Sequence, residues 1–271
     1  MLISFRHFLQ LSEDIKHLIE EIDPEVRRNR KKMIDYYLKL NNYSYWNAEH
    51  AMEVAKLSRD FGKHLGLDAN KLAYSALTHD SGKVHVDKIV LHKPDTLSEP
   101  ERVHIDTHAS KDEDIKHLKH LTGEQGNYAR LALRYHHTRP SDLDKMANDG
   151  KLTKDEVEVI KIITICDIFE ALVSEKRPYK KPITKYDALV LMGSLTIVDK
   201  EILKKFVEWQ YQEFANEYRK DFVERNRERL EREYAIRKEE YKKSMTIMLH
   251  HQKHHRESIT HLHMKKPDII L

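Results

Sequence analysis

An all-α fold is predicted, on three observations. Glycine and proline number only seven each in 271 residues, and long segments run without either. Apolar side chains recur at spacings of three and four along most of the chain. Helix-start signatures of the capping-box type open two of the apolar runs, at Ser98 with Glu101 and at Thr153 with Glu156. The expected architecture is a helical bundle at 45–206, preceded by a helix pair at 1–44 and followed by a long charged helix and a His-rich tail at 207–271.

Residues Ser4 to Leu40 read as two helices broken near Asp23-Pro24, with Asp23 as cap and Pro24 in the first turn. The next helix carries His50, Val54, Leu57, Phe61 and Leu65 on one stripe and closes at Gly66. A further helix places Leu72, Ala76, His79 and Asp80 on its apolar face, and Gly82 is expected to stop it. After a loop at Lys93-Pro94-Asp95, the Ser98 helix is expected to carry His104 and His108, four apart and on one face. Tyr128, Leu131, Ala132 and Tyr135 mark another helix, ending in His136-His137. Thr138 to Leu152 reads as a polar loop and a candidate flap. Thr153 then opens the most hydrophobic helix, from Val157 to Leu172, with Asp167 inside it. A shorter helix pair is expected through Leu203. Beyond about Asp199 a charged helix shows an aromatic seam of Val207, Tyr211, Phe214 and Tyr218. That seam suits a second copy of the chain, a fold-back helix or a signalling protein as partner.

Composition narrows the function classes. A net charge of +3 with 34% charged residues is a mixed surface and gives no support to nucleic acid as an obligatory partner. No segment approaches the roughly 20 apolar residues of a membrane span, no secretory signal is evident, and the single Cys166 excludes an intramolecular disulfide framework. A cytoplasmic location is expected. Histidine is the unusual count, at 19.

Taken singly, each candidate has a plain structural reading: His50 as a hydrogen-bonded core histidine, His79-Asp80 as a pair structuring a helix end. Asp167 is harder to read so, because a carboxylate inside an apolar helix needs a cation or several donors. Together, five consecutive segments present ligand-type residues inward: His50, His79-Asp80, His108, His136-His137 and Asp167. The His250, His251, His254, His255, His261 and His263 tail lacks carboxylates and reads as surface.

The stretches involved are His79-Asp80-Ser81-Gly82-Lys83, then Lys93 to Ser98 with Glu101 and His108, then His136-His137-Thr138-Arg139, then Asp167 to Leu172 with Arg177-Pro178-Tyr179. Over roughly Tyr45 to Phe206 this series resembles the HD superfamily of metal-dependent phosphohydrolases. Within it, the series resembles the HD-GYP phosphodiesterases that hydrolyse cyclic di-GMP, matching HDxGK, KPxxLTxxE...H, HHER and DxFDAL...RPY. Two departures stand out: no Gly-Tyr-Pro follows His136-His137, and Trp46 stands where trinuclear members carry a glutamate.

The resemblance implies two divalent metal ions, Fe or Mn before Zn. His50, His79, Asp80 and Asp167 would hold one ion, and Asp80, His108, His136 and His137 the other, with Asp80 bridging. A hydroxide bridging the metals would attack phosphorus. Lys83 would neutralise charge on the phosphoryl oxygens, with Arg177 and Lys180 holding substrate phosphates. The implied activity is hydrolysis of a cyclic dinucleotide, cyclic di-GMP first. The alternatives are a catalytically quiet cyclic-dinucleotide or protein-binding signalling module, and an HD nucleotide phosphohydrolase with another substrate.

Overall fold

The computed structural model describes residues 27–94, 96–109, 118, 121–175 and 181–225, with further helical positions between 227 and 243. Among the described residues there is no strand, as the scarcity of helix breakers predicts. The chain divides into two compact units, Met1–Gln210 and Tyr211–Leu271. The first of the two predicted N-terminal helices and the His-rich tail lie outside the described residues.

Helix α1, Arg27–Tyr43, is the second of the predicted N-terminal pair and continues past Leu40. It buries Met33, Tyr37 and Leu40 in the core, and the Tyr43 hydroxyl donates to the Val86 carbonyl. Helix α2, Tyr45–Leu65, ends as its sequence demands. Gly66 adopts φ 71°, a left-handed conformation that lacks a penalty only in glycine, and its N–H caps the last turn. Helix α3, Ala69–Thr78, starts at Asp68, whose side chain accepts from the Lys71 N–H at 3.0 Å.

Gly82 does not stop this helix. The α-helical hydrogen bonding ends at Thr78, and Ser81–His85 continue as a 3₁₀ turn containing Gly82. The Thr78 hydroxyl and the His79 ring both bond to carbonyls of the last turn, competing with the backbone for those acceptors.

Helix α4, Lys88–Leu91, is a single turn. Helix α5, Glu99–Asp106, opens at the predicted capping box, with Glu101 accepting from the Ser98 N–H and hydroxyl at 2.7 and 2.8 Å. Here the expected pairing of His104 with His108 fails. The α-helix gives way to a 3₁₀ turn, Thr107–Ala109, so the two rings diverge: His108 is buried, while His104 accepts from the Asp87 N–H.

Helix α6 spans Gly123–Tyr135. The segment after it, expected as a flap, contains helix α7, Pro140–Asn148. Pro140 is well suited to a first helical turn, and Leu143 is buried in a small cluster with Leu152, Val157 and Ile160. Polar composition hid a helix with one narrow apolar side.

Helix α8, Lys154–Val173, opens at the Thr153 and Glu156 capping box and buries Val159, Ile160, Ile162, Ile163, Ile165 and Cys166. It packs against α2, α3, α6, α7 and the following α9, Lys185–Ser194, which makes it the central helix. Burial pushes the Cys166 thiol up to about 12, so it is an inert packing residue. The last helix, α10, runs from Lys200 to Arg225, so the helix pair expected through Leu203 is α9 and the start of this one helix. In its first part Phe206 and Trp209 are buried, with Phe206 edge-on to Phe61 and Phe169 at 5.0 and 5.1 Å. Of the predicted seam, Val207, Tyr211 and Phe214 are 37%, 79% and 56% exposed.

Candidate metal centre

Three helix ends and two helix interiors converge on one buried point. Helix α3 delivers His79 as its C-terminal cap, with Asp80 next to it. The 3₁₀ turn after α5 delivers His108, the end of α6 delivers His136 and His137, and the interiors of α2 and α8 deliver His50 and Asp167. His50, His79, Asp80, His108 and His136 are each at most 3% exposed.

The donors form two adjoining groups that overlap, because His79, His136 and Asp167 also offer ligand atoms within 4.8 Å of one another. In the first, His50 Nε2 lies 2.8 Å from Asp167 Oδ1 and 3.6 Å from Asp80 Oδ2. His79 Nε2 is 3.4 Å from Asp80 Oδ2 and 3.6 Å from Asp167 Oδ1. In the second, Asp80 Oδ1 lies 3.1 Å from His108 Nε2 and 3.8 Å from His136 Nε2, and the two nitrogens are 3.3 Å apart. His137 is exposed, but its ring packs against those of His136 and His108, and the three offer ligand atoms within 4.8 Å of one another. Asp80 therefore turns one carboxylate oxygen to each group.

Ligand atoms about 2.1 Å from a common ion stand about 3.0 to 3.4 Å from their neighbours, the range seen for several of these pairs. His79 Nε2 adds a second indication. It is fully buried, has no hydrogen-bond partner, and faces two carboxylates. The donor set fits divalent cations.

Ring orientation has local causes. His79, His108 and His136 each direct Nδ1 at a backbone carbonyl, of Ala76 at 2.6 Å, Ile105 at 2.6 Å and Ala132 at 2.9 Å. Nε2 is thereby left facing the centre. The Thr164 hydroxyl donates to the His136 carbonyl at 2.7 Å and ties the end of α6 to α8. His50 is held differently, with Nδ1 against the Glu170 carboxylate. Glu170 was absent from the sequence-derived set. Its signal was its position three residues after Asp167, which puts both carboxylates on one face of α8.

Charge in the centre is tightly balanced. Burial raises the Asp80 pKa, but His79, Lys83 and His108 outweigh it and hold it well below the carboxylate range. Burial likewise opposes ionisation of Asp167, which His50 and His79 overcome. At His79 burial disfavours the cation, yet Asp80 and Asp167 raise its pKa. At His136 burial, reinforced by the neighbouring histidines, lowers it well below the usual value. Lys83 joins through its ammonium, 2.5 Å from Asp80 Oδ2. Arg177 and Lys180 lie outside the described residues. Glu49, beside His50, is buried but belongs to none of the donor groups.

Residues 47–172 match the HD domain. Over 153 residues the chain is 29% identical to the 3'3'-cGAMP-specific phosphodiesterase 1 of Vibrio cholerae, covering 55% of this chain and 34% of that protein. It is 34% identical over 164 residues to the 3'3'-cGAMP-specific phosphodiesterase 3 of the same organism, covering 58% and 34%. It is 24% identical over 199 residues to a cyclic di-GMP phosphodiesterase of Pseudomonas aeruginosa, covering 70% and 45%. The chain thus spans between a third and a half of the length of these relatives. The segment that matches the HD domain contains every donor residue described above, from His50 to Asp167.

Proposed function

We propose that this chain is a metal-dependent phosphodiesterase that opens a cyclic dinucleotide to its linear form. The observation that carries this reading is the shared carboxylate: Asp80 faces His50 and His79 with one oxygen, and His108 and His136 with the other. A site for one structural ion needs no such division.

His50, His79, Asp80 and Asp167 would hold one divalent ion, and Asp80, His108, His136 and His137 a second. The mixed nitrogen and oxygen donors, too many for tetrahedral closure, favour Fe or Mn over Zn. Bound there, two such ions supply Lewis-acid activation of water and of the scissile phosphodiester. The protein's own groups do the rest. Asp80 and Asp167 both have pKa values held well below the usual carboxylate range, which favours the ionised, ligating form. Lys83, 13% exposed, sits close enough to move from Asp80 onto a phosphoryl oxygen as negative charge grows there. Arg177 and Lys180 are assigned to the substrate phosphates on sequence grounds. Water adds across one P–O bond, which breaks to leave a phosphate monoester and a hydroxyl.

Cyclic di-GMP is the first substrate to test, because the sequence resembles HD-GYP enzymes. A second reading, 3'3'-cGAMP, is favoured by two of the relatives. Anaerobically purified chain, loaded separately with Fe²⁺ and Mn²⁺, is incubated with both and with a bis-phenyl phosphodiester, and products are separated chromatographically. Linear dinucleotide is the expected product. Hydrolysis of none of the three by the loaded chain overturns the proposal.

A further inference from the structure

Three of the four buried histidines in the centre are oriented by their own backbone. His79, His108 and His136 stand at the ends of helices, and each ring directs Nδ1 at a carbonyl three or four residues back, which for Ala76 and Ala132 it shares with the residue's own backbone N–H. His50 is held otherwise. It is the sixth residue of the 21-residue α2, inside the helix rather than at its end. Its Nδ1 instead meets a carboxylate 120 residues away, Glu170 on α8, whose side chain is 10% exposed.

We infer that Glu170 is a positioning residue for the first metal site: it accepts the Nδ1–H of His50 and so fixes the ring with Nε2 toward Asp167 and Asp80. This rests on the metal-dependent reading above and extends it to a residue that touches neither ion nor substrate. The geometry gives the role its content. Asp167 and Glu170, one turn apart on α8, grip the two nitrogens of a single imidazole, Nε2 at 2.8 Å and Nδ1 in direct contact. A hydrogen-bonded carboxylate behind a ligating histidine sets its tautomer and raises its basicity, and losing it typically weakens metal binding by about 10- to 100-fold.

The test compares the 271-residue chain with Glu170→Gln, Glu170→Ala and His50→Ala. Mn²⁺ affinity is measured by chelator competition, unfolding is followed on the metal-free proteins, and ¹⁵N-histidine spectra are recorded with Zn²⁺ bound. Glu170→Ala is expected to weaken one Mn²⁺ site by about 10- to 100-fold. Glu170→Gln, which keeps the shape and a weaker acceptor, should fall between it and wild type. In the spectra, the His50 Nδ1–H signal of the wild type should be lost in Glu170→Ala, while those of His79, His108 and His136 persist. Wild-type affinity in both folded Glu170 variants overturns the inference and leaves the metal site standing. An unchanged His50 signal also overturns it, even where affinity falls, because the loss is then structural. If Glu170→Ala does not fold, Glu170→Gln decides by the same two criteria. A wild-type chain that binds no Mn²⁺ overturns both this inference and the proposed function.

Discussion

The helix ends around the centre and the helix interiors opposite them solve one problem in different ways. At the ends of α3, α5 and α6, His79, His108 and His136 find an orienting backbone carbonyl within four residues. In the interiors of α2 and α8 the His50 ring is held instead between Asp167 and Glu170, across the packed core. The first arrangement survives small shifts between helices. The second requires α2 and α8 to keep their register.

The largest expected effect removes the residue that both regions share. Asp80→Ala should abolish paired metal binding and lower turnover on the order of 10³-fold, since several kcal/mol of charge stabilisation go with it. Metal analysis and product chromatography check this, and retained metal with full activity would undo the shared-carboxylate assignment.

Next comes the support of the interior region. Ile163 is fully buried in α8, and Ile163→Ala should destabilise the fold by about 2–5 kcal/mol through lost burial and the cavity left behind. Denaturant unfolding measures the loss. Mn²⁺ affinity at the His50 site should drop along with it, more than at the helix-end site, if register matters as described.

A smaller effect touches the helix-end region. Thr164→Val removes the hydroxyl that donates to the His136 carbonyl and leaves that buried acceptor short of a partner, at a cost of about 1–3 kcal/mol. Metal affinity at the His108 and His136 group should change little, because the His136 ring keeps its own carbonyl. A large selective loss there would show that these histidines also need tertiary support.

The smallest lies at the start of α5. The Lys93 ammonium, with the Ser98 N–H and hydroxyl, holds the Glu101 carboxyl at about 2, below its unfolded value of about 4.3. A lowered carboxylate contributes stability that is complete above the unfolded value and fades as pH falls toward 2. Glu101→Gln should therefore lower Tm slightly at pH 6, and the gap from wild type should close between about pH 4 and 2. A gap that stays constant across that range would assign the effect to helix propensity.

Much of the centre was legible in the sequence because its motifs are local. His79-Asp80 and His136-His137 are adjacent pairs at helix ends, and Asp167 is conspicuous as a carboxylate in an apolar helix. Capping boxes at Ser98 and Thr153 gave two helix starts for the same reason: a cap is a contact across three residues. The sequence was less informative wherever a helix end or face depends on what packs against it. Helix α7 was hidden because its apolar side is narrow and gains meaning only against Leu152, Val157 and Ile160. His104 and His108 share a helical face on paper, but the change to a 3₁₀ turn at Thr107 separates them.

The sequence by itself determined the helical class, the central helix, and which side chains have the chemistry to hold metal, since each follows from periodicity or residue type. The family resemblance already implied a bridging Asp80; only the tertiary structure decided which of its oxygens faces which histidines and that Glu170 stands behind His50. Both depend on distances between helices far apart in the chain, fixed by close packing of the core.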